Sequence, residues 1–306
     1  MENVTNLLLE GAIDLHAHAY PEYTTAIFPR LSNYEWAKMA VQYKMRGFVM
    51  KSHIWCTAMQ AFDLMQIPEI KESGLEIFGS ITLNHTSGGL NPLSVAIAGE
   101  MGAKAVFMPT WGSTNDVEHF GLTAQKLAKA WPGFRNYLKQ TGNGITILDN
   151  NGKIKAEVHE ILEVAKKYNM YVESAHMFIE ESTKLAEAAA LHGVRFSLTH
   201  PFNTTIAATV EQQKYIADTG AYIEQCFITC MPMHMRVNIH NIADAIEKIG
   251  VERTIFATDA IGEWNPPEPE LMRMSIGSLL RLGFSPEEVK TMTARNPAVM
   301  LDIPVK

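Results

Sequence analysis

Eight times along the 306-residue chain a short apolar run rich in β-branched residues gives way to a longer segment of helical periodicity. The strand-like runs are "GAIDLH", "RGFVMKSH", "LEIFGSITLNH", "AKAVFMPT", "MYVESAH", "VRFSLTH", "AYIEQCF" and "RTIFATDA". Between them stand amphipathic stretches such as "NYEWAKMAVQYKM", "EVHEILEVAKKY" and "NIADAIEKIG". Strands that alternate with helices imply right-handed parallel βαβ units. Eight units in one chain predict a closed (β/α)8 TIM barrel, read as one domain over 1–306. A doubly wound open sheet is the competitor, and no glycine-rich phosphate turn follows the first strand to support it. The rhythm breaks once, over 111–155, after strand four. That insertion is expected to rise over the C-terminal face and cap it, with helices near 123–130 and 133–140. A hairpin follows in "GITILDNNGKIKA", where Asn150, Asn151 and Gly152 tolerate positive φ.

In such a barrel the strand ends and their loops build the active site, and here those ends are polar. Strand one offers His16 and His18, strand two Lys51 and His53, strand three Asn84 and His85. Strand four ends in Thr110 and Trp111 without a carboxylate. Strand five ends in His176, strand six in His200, strand seven near Glu224 and strand eight in Asp259. Alternate residues of a strand share a side, so His16 and His18 face one point inside the mouth. Imidazole nitrogen and carboxylate oxygen are the donors that hold zinc and similar divalent ions. Any one of these residues has a plain structural reading, a core histidine or a helix N-cap. Their joint placement on strands one, five, six and eight points to a metal centre. His159 and His192 fall in helices, His240 reads as structural, and His119 and His234 lie in loops that the pattern does not place.

Composition narrows the alternatives. A formal net charge of −7 with no Lys/Arg cluster excludes a phosphate-binding surface and hence a nucleic-acid partner. Cys56, Cys226 and Cys230 show no CxxC pairing, which suggests a reducing compartment without disulfides. No apolar run is long enough for a spanning helix, and "MENVTNLLLEG" lacks the pattern of a signal peptide. A cytoplasmic protein with a small-molecule substrate and no membrane partner is expected.

From "DLHAH" through "SAH" and "LTH" to "FATDA" and the closing "ARNPAVMLDI", the chain resembles the amidohydrolase superfamily of metal-dependent barrel enzymes. The likeness spans nearly the whole chain and extends to the branch containing amino-carboxymuconate-semialdehyde decarboxylase. The resemblance implies that His16, His18, His176 and Asp259 ligate a divalent metal, with zinc expected and manganese, iron or cobalt as alternatives. It makes His200 either a second-metal ligand or an acid/base beside a single ion, and Asp259 the residue that takes a proton from activated water. Two-metal members carry a bridging carboxylated lysine or glutamate at the end of strand four or five. Strand four has no such group here, and Glu173 precedes His176 at a doubtful position, so one ion is expected rather than two. Lys51 is read as a substrate-binding cation or a carboxylated ligand. His53 and His85 would read polar substrate groups, and Trp111, with Phe120, Trp131 and Phe134 of the insertion, would supply apolar walls. The implied activity is hydrolysis of a C–N or C–O bond in an amide, lactam, lactone or cyclic imide, in an enzyme of a kind that often forms homo-oligomers. A metal-dependent decarboxylase of a small unsaturated or aromatic acid is the alternative.

Overall fold

The computed structural model describes residues 2–20, 22, 30–119, 133, 136 and 144–305. Eight parallel strands follow one another in order: β1 (Ile13–His18), β2 (Gly47–Lys51), β3 (Glu76–Thr82), β4 (Ala103–Phe107), β5 (Tyr171–Glu173), β6 (Phe196–Thr199), β7 (Tyr222–Cys226) and β8 (Thr254–Ala257). Sequential order with no crossover is barrel topology, which excludes the open doubly wound sheet. The ring closes between β8 and β1 through a parallel bridge at Ala17 and Ala260. Two backbone bonds complete the seam: Asp259 N donates to His16 O at 2.7 Å and His18 N to Ala260 O at 3.1 Å.

Helices cover the ring. Where one helix was expected over "CTAMQAFDLMQIPEIKES", there are two, Ala58–Gln66 and Pro68–Ser73. Pro68 forces Ile67 into an extended conformation and breaks the helix there. Gly79 of β3 lets the first of these helices approach closely, since a Cβ on it would stand 2.3 Å from Ala58 Cα. An N-terminal helix, Glu2–Leu9, was not foreseen. At the other end the chain runs Pro286–Lys290, one π-helical turn Thr291–Arg295, then Asn296–Leu301. Asn296, in the Asn-Pro motif, donates its side-chain amide to Thr254 O at 2.6 Å and Val251 O at 2.8 Å. That pins the last helix to the root of β8. Ala298, Met300 and Leu301 from it pack with Ile13, Leu15, Val49, Phe107, Tyr171 and Ile255 of the strands.

Of the 111–155 excursion, the described parts are its two feet. A short helix, Thr114–Glu118, follows β4, and a tight turn after Asp149 joins Leu148 to Ile154 through one antiparallel bridge. Within that turn Gly152 alone of the three foreseen residues takes positive φ, at +71°. Phe120, Trp131 and Phe134 lie outside the described residues, as do the expected helices apart from Gly133 and Asn136. No helix among the described residues is long and apolar enough to cross a membrane.

Candidate metal centre

The seam between the first and last strands delivers the centre. Asp14, buried in β1, accepts from Thr258 Oγ1 at 2.5 Å, and from the backbone N–H groups of Thr258 and His16 at 3.1 Å each. Burial raises its pKa to about 7 against those bonds. This brace sets Asp259 beside the two histidines of β1. Asp259 Oδ1 lies 3.0 Å from Nε2 of His16 and 3.0 Å from Nε2 of His18. All three donors converge within one small volume.

The far side of each imidazole is held by a carboxylate. His16 Nδ1 is 2.7 Å from Glu224 Oε1, and His18 Nδ1 is 2.8 Å from Glu22 Oε1. Glu22, held ionised, can only accept, so His18 Nδ1 carries its proton there and Nε2 presents a lone pair inward. Burial raises the pKa of Glu224 to about 7, and in its ionised form it sets His16 the same way. Two lone pairs then face a carboxylate oxygen, a place that favours positive charge: a proton, a metal ion, or the Lys51 ammonium, whose Nζ is 2.7 Å from His16 Nε2. The electrostatics agree. Burial works against a charged imidazole, yet Asp259 and Glu22 raise the pKa of His18 above its ordinary value. Burial likewise opposes ionisation of Asp259, but His16 and His18 hold its carboxyl well below the usual range. Glu22 is shifted down to about 2 because His53 and His18 outweigh its burial.

His200, fully buried, strengthens the fit to a metal. Among the described residues, neither of its ring nitrogens has a hydrogen-bond partner. Its ring lies 5.8 Å from that of His16 and 4.9 Å from that of His176. An unpaired buried polar group costs about 1–3 kcal/mol, which ligation would offset. Burial and the neighbouring His176 push its pKa well below the imidazole range, so it stays neutral and able to donate a lone pair. The backbone is strained at these places. Ala175, His200 and Asp259, at the ends of β5, β6 and β8, take φ of +53°, +32° and +51°. Left-handed conformations of residues other than glycine concentrate at functional sites.

The remaining expected residues form two flanks. His176 stands outside the tight cluster of His16, His18 and Asp259; its Nδ1 meets Asp116 Oδ1 at 3.1 Å and its ring edge faces His200. Lys51 is fully buried, with Nζ 2.7 Å from His16 Nε2 and 4.7 Å from the centre of the Phe107 ring. On the other flank His53 is stacked between His18, at 4.4 Å, and Trp111, at 3.7 Å. Its Nδ1 shares Glu22 at 2.9 Å, and burial lowers its pKa to about 3 despite that carboxylate. Trp111 therefore packs on an imidazole of the site. His85 is half-buried in a turn after β3, where Gly112 passes so close that a Cβ would stand 2.9 Å from its Nδ1. Asn84 ties these loops together, accepting from Thr110 N and Gly112 N and donating to His53 O.

Three carboxylates had no role in the sequence reading. Glu22 and Asp116 went unnoticed because one lies outside any strand or helix and the other in a helix, Thr114–Glu118, too short for a period to place it. Glu224 was visible as a strand end and proves to hold His16. Glu173 is tied to Thr199 Oγ1 at 2.7 Å, and burial raises its pKa to about 8. Cys226 Sγ lies 3.3 Å from Glu224 Oε1, whereas Cys230 joins no such cluster among the described residues.

The model of a family of unknown function, DUF6282, matches residues 11–224. The chain belongs to DUF6282. The match takes in His16, His18, Lys51, His176 and His200 and ends at Glu224, before Asp259. No curated protein matches this DUF6282 chain in sequence. Among solved structures it is similar to an amidohydrolase from Pseudomonas aeruginosa, at 12% identity and TM-score 0.60, covering 97% of this chain and 98% of that one. The probable dipeptidase PvdM from Pseudomonas aeruginosa aligns at 11% identity and TM-score 0.63, covering 98% and 97%. Organophosphorus hydrolase from Deinococcus radiodurans aligns at 14% and 0.58, covering 95% and 92%. This chain thus shares its barrel fold with these proteins, the fold that the amidohydrolase resemblance implied.

Proposed function

We propose that this DUF6282 protein is a metal-dependent hydrolase acting on a C–N or C–O bond of a small amide, lactam, lactone or cyclic imide. The observation that carries the reading is the convergence of His16 Nε2, His18 Nε2 and Asp259 Oδ1, with both Nδ1 atoms anchored by carboxylates. His16, His18 and Asp259 would hold one divalent ion, zinc by its preference for nitrogen and oxygen donors. His176 and His200 stand on the adjoining wall to complete it. When bound, such an ion lowers the pKa of water to about 7 and polarises a carbonyl oxygen.

The chain's own residues would do the rest. Asp259, ionised and partly open to the mouth, takes a proton and returns it to the leaving group. Glu224 and Glu22 keep the imidazoles of His16 and His18 in one tautomer and one orientation. His200, neutral and without a hydrogen-bond partner among the described residues, either ligates or steadies developing negative charge. Lys51 meets a substrate anion or serves as a carboxylated ligand; His53, His85 and Trp111 shape the pocket beside it. A homo-oligomer in the cytoplasm remains part of this proposal.

The test is metal content per chain on protein purified without added metal, followed by assay against amides, lactams, lactones and cyclic imides. About one zinc per chain with metal-dependent ring opening or amine release supports the reading. Absence of any bound divalent ion would sink it. Release of carbon dioxide from unsaturated acids would move the protein to the decarboxylase class.

A further inference from the structure

His176 is gripped by a segment that carries no metal ligand. The stretch after β4 reaches it three times: Ser113 Oγ donates to His176 O at 2.9 Å, Asn115 Nδ2 to the same oxygen at 3.1 Å, and Asp116 Oδ1 meets Nδ1 at 3.1 Å. From the opposite direction His176 N donates to Pro109 O at 3.2 Å. Backbone and ring are both held from one short piece of chain. Asp116 is itself buried, and its backbone N–H is capped by Ser113 Oγ at 3.0 Å.

That piece is in turn fastened to the far foot of the excursion. Thr114 N donates to Ile145 O at 3.0 Å, Ile145 N to Gly112 O at 2.7 Å, and Ser113 pairs with Ile145 in a parallel bridge. Gly144 makes this contact feasible. Its φ is +120°, and a Cβ there would stand 2.7 Å from Thr114 Cα and 2.8 Å from Thr114 N. A side chain at 144 therefore has to push the backbone that carries Asp116.

We infer that Asp116 is a positioning residue that keeps His176 protonated on Nδ1 and its Nε2 available to a metal ion, and that the Gly144–Thr114 contact holds Asp116 in place. The inference rests on the metal reading proposed above. It gives the excursion's two feet a task at the centre although neither supplies a ligand.

Two variants test it, Asp116→Asn and Gly144→Ala, each compared with wild type by zinc affinity in chelator competition. A second readout is the tautomer of His176 from nitrogen-15 spectra of histidine-labelled protein without metal. Loss of such an outer carboxylate typically weakens metal binding about 10- to 100-fold, and that loss is expected in both variants while circular dichroism stays native. The Nδ1–H form of His176 should dominate in wild type and give way to Nε2–H in Asp116→Asn. Wild-type zinc affinity and tautomer in Asp116→Asn would overturn the inference. Wild-type affinity in Gly144→Ala would overturn the second half. If wild type binds no divalent ion the proposed function fails, and the tautomer comparison still decides whether Asp116 sets the state of His176.

Discussion

Lys51 Nζ, at the end of β2, and His16 Nε2, two residues before the end of neighbouring β1, stand 2.7 Å apart, both fully buried. Burial lowers the pKa of Lys51, while Asp259, Glu22 and other acids of the site pull it back up. A lysine so placed competes with a metal for the lone pair of His16 unless its nitrogen is modified or turned to an anionic substrate. Lys51→Ala should reduce kcat/KM by about two orders of magnitude, the scale of losing one preorganised electrostatic group, with little change in thermal stability. Metal stoichiometry beside kinetics separates the roles. Fewer ions per chain identifies a carboxylated ligand, and a raised KM with metal retained identifies a substrate contact. Unchanged kinetics and metal would exclude both.

Asp259→Asn should lower kcat by about 10²- to 10⁴-fold, the range for losing a general acid/base. The fold should persist, because the seam uses the backbone N–H of Asp259 and not its carboxylate. Near-normal turnover with metal bound would contradict the role assigned to it.

His18 Nδ1 and His53 Nδ1 each meet one oxygen of Glu22, and Glu22→Gln leaves one acceptor for the two of them and puts an NH2 in place of the other. The amide can donate where the carboxylate could only accept, so His18 loses its fixed tautomer. Zinc affinity should fall about 10- to 100-fold, measured by chelator competition. An unchanged affinity would mean that Glu22 serves only packing.

Glu268 supplies a pH prediction away from the ligands. It is 2% exposed, its Oε2 has no hydrogen-bond partner among the described residues, and burial raises its pKa from 4.5 to about 8. Between those values the folded chain keeps a proton that the unfolded chain has released. Stability contributed by this group therefore falls as pH rises from 4.5 to about 8. Glu268→Gln should be more stable than wild type above pH 8, by an amount on the order of a few kcal/mol. Below the unfolded pKa the two should converge. Urea midpoints across that range check it, and parallel profiles would refute the assignment.

Much of this could be read in the residues before any coordinates. The alternation of β-rich and helical runs determines the barrel, and the polar strand ends place His16, His18, Lys51, His200 and Asp259 on one face. What stayed hidden obeys no period. Glu22 lies four positions after His18 in a loop, and Asp116 lies in the first turn of a short helix inside the excursion. Nothing in their neighbours' hydropathy tells which histidine they will meet. The left-handed backbone of His200 and Asp259 was equally invisible, since neither is glycine and only tertiary bonds impose it. His176 shows a subtler limit. The sequence pattern makes it the last residue of strand five, but β5 ends at Glu173 and His176 sits three residues on, in a turn, with its ring near Asp116 and His200 and outside the tight trio.

The seam joining the first and last strands also fixes when the centre can come into being. His18 and Asp259 are separated by 241 positions, and the brace from Asp14 to Thr258 spans nearly the same stretch of chain. During synthesis, β1 exposes two histidines long before the residue that completes their proposed ligand set has been made. A nascent chain lacking β8 has neither Asp259 nor a partner for the free edge of β1, so it can neither close the ring nor hold an ion with the full set of donors. Maturation of the proposed centre would therefore be a late event, coupled to ring closure, and metal uptake would report on completion of folding rather than guide its early steps.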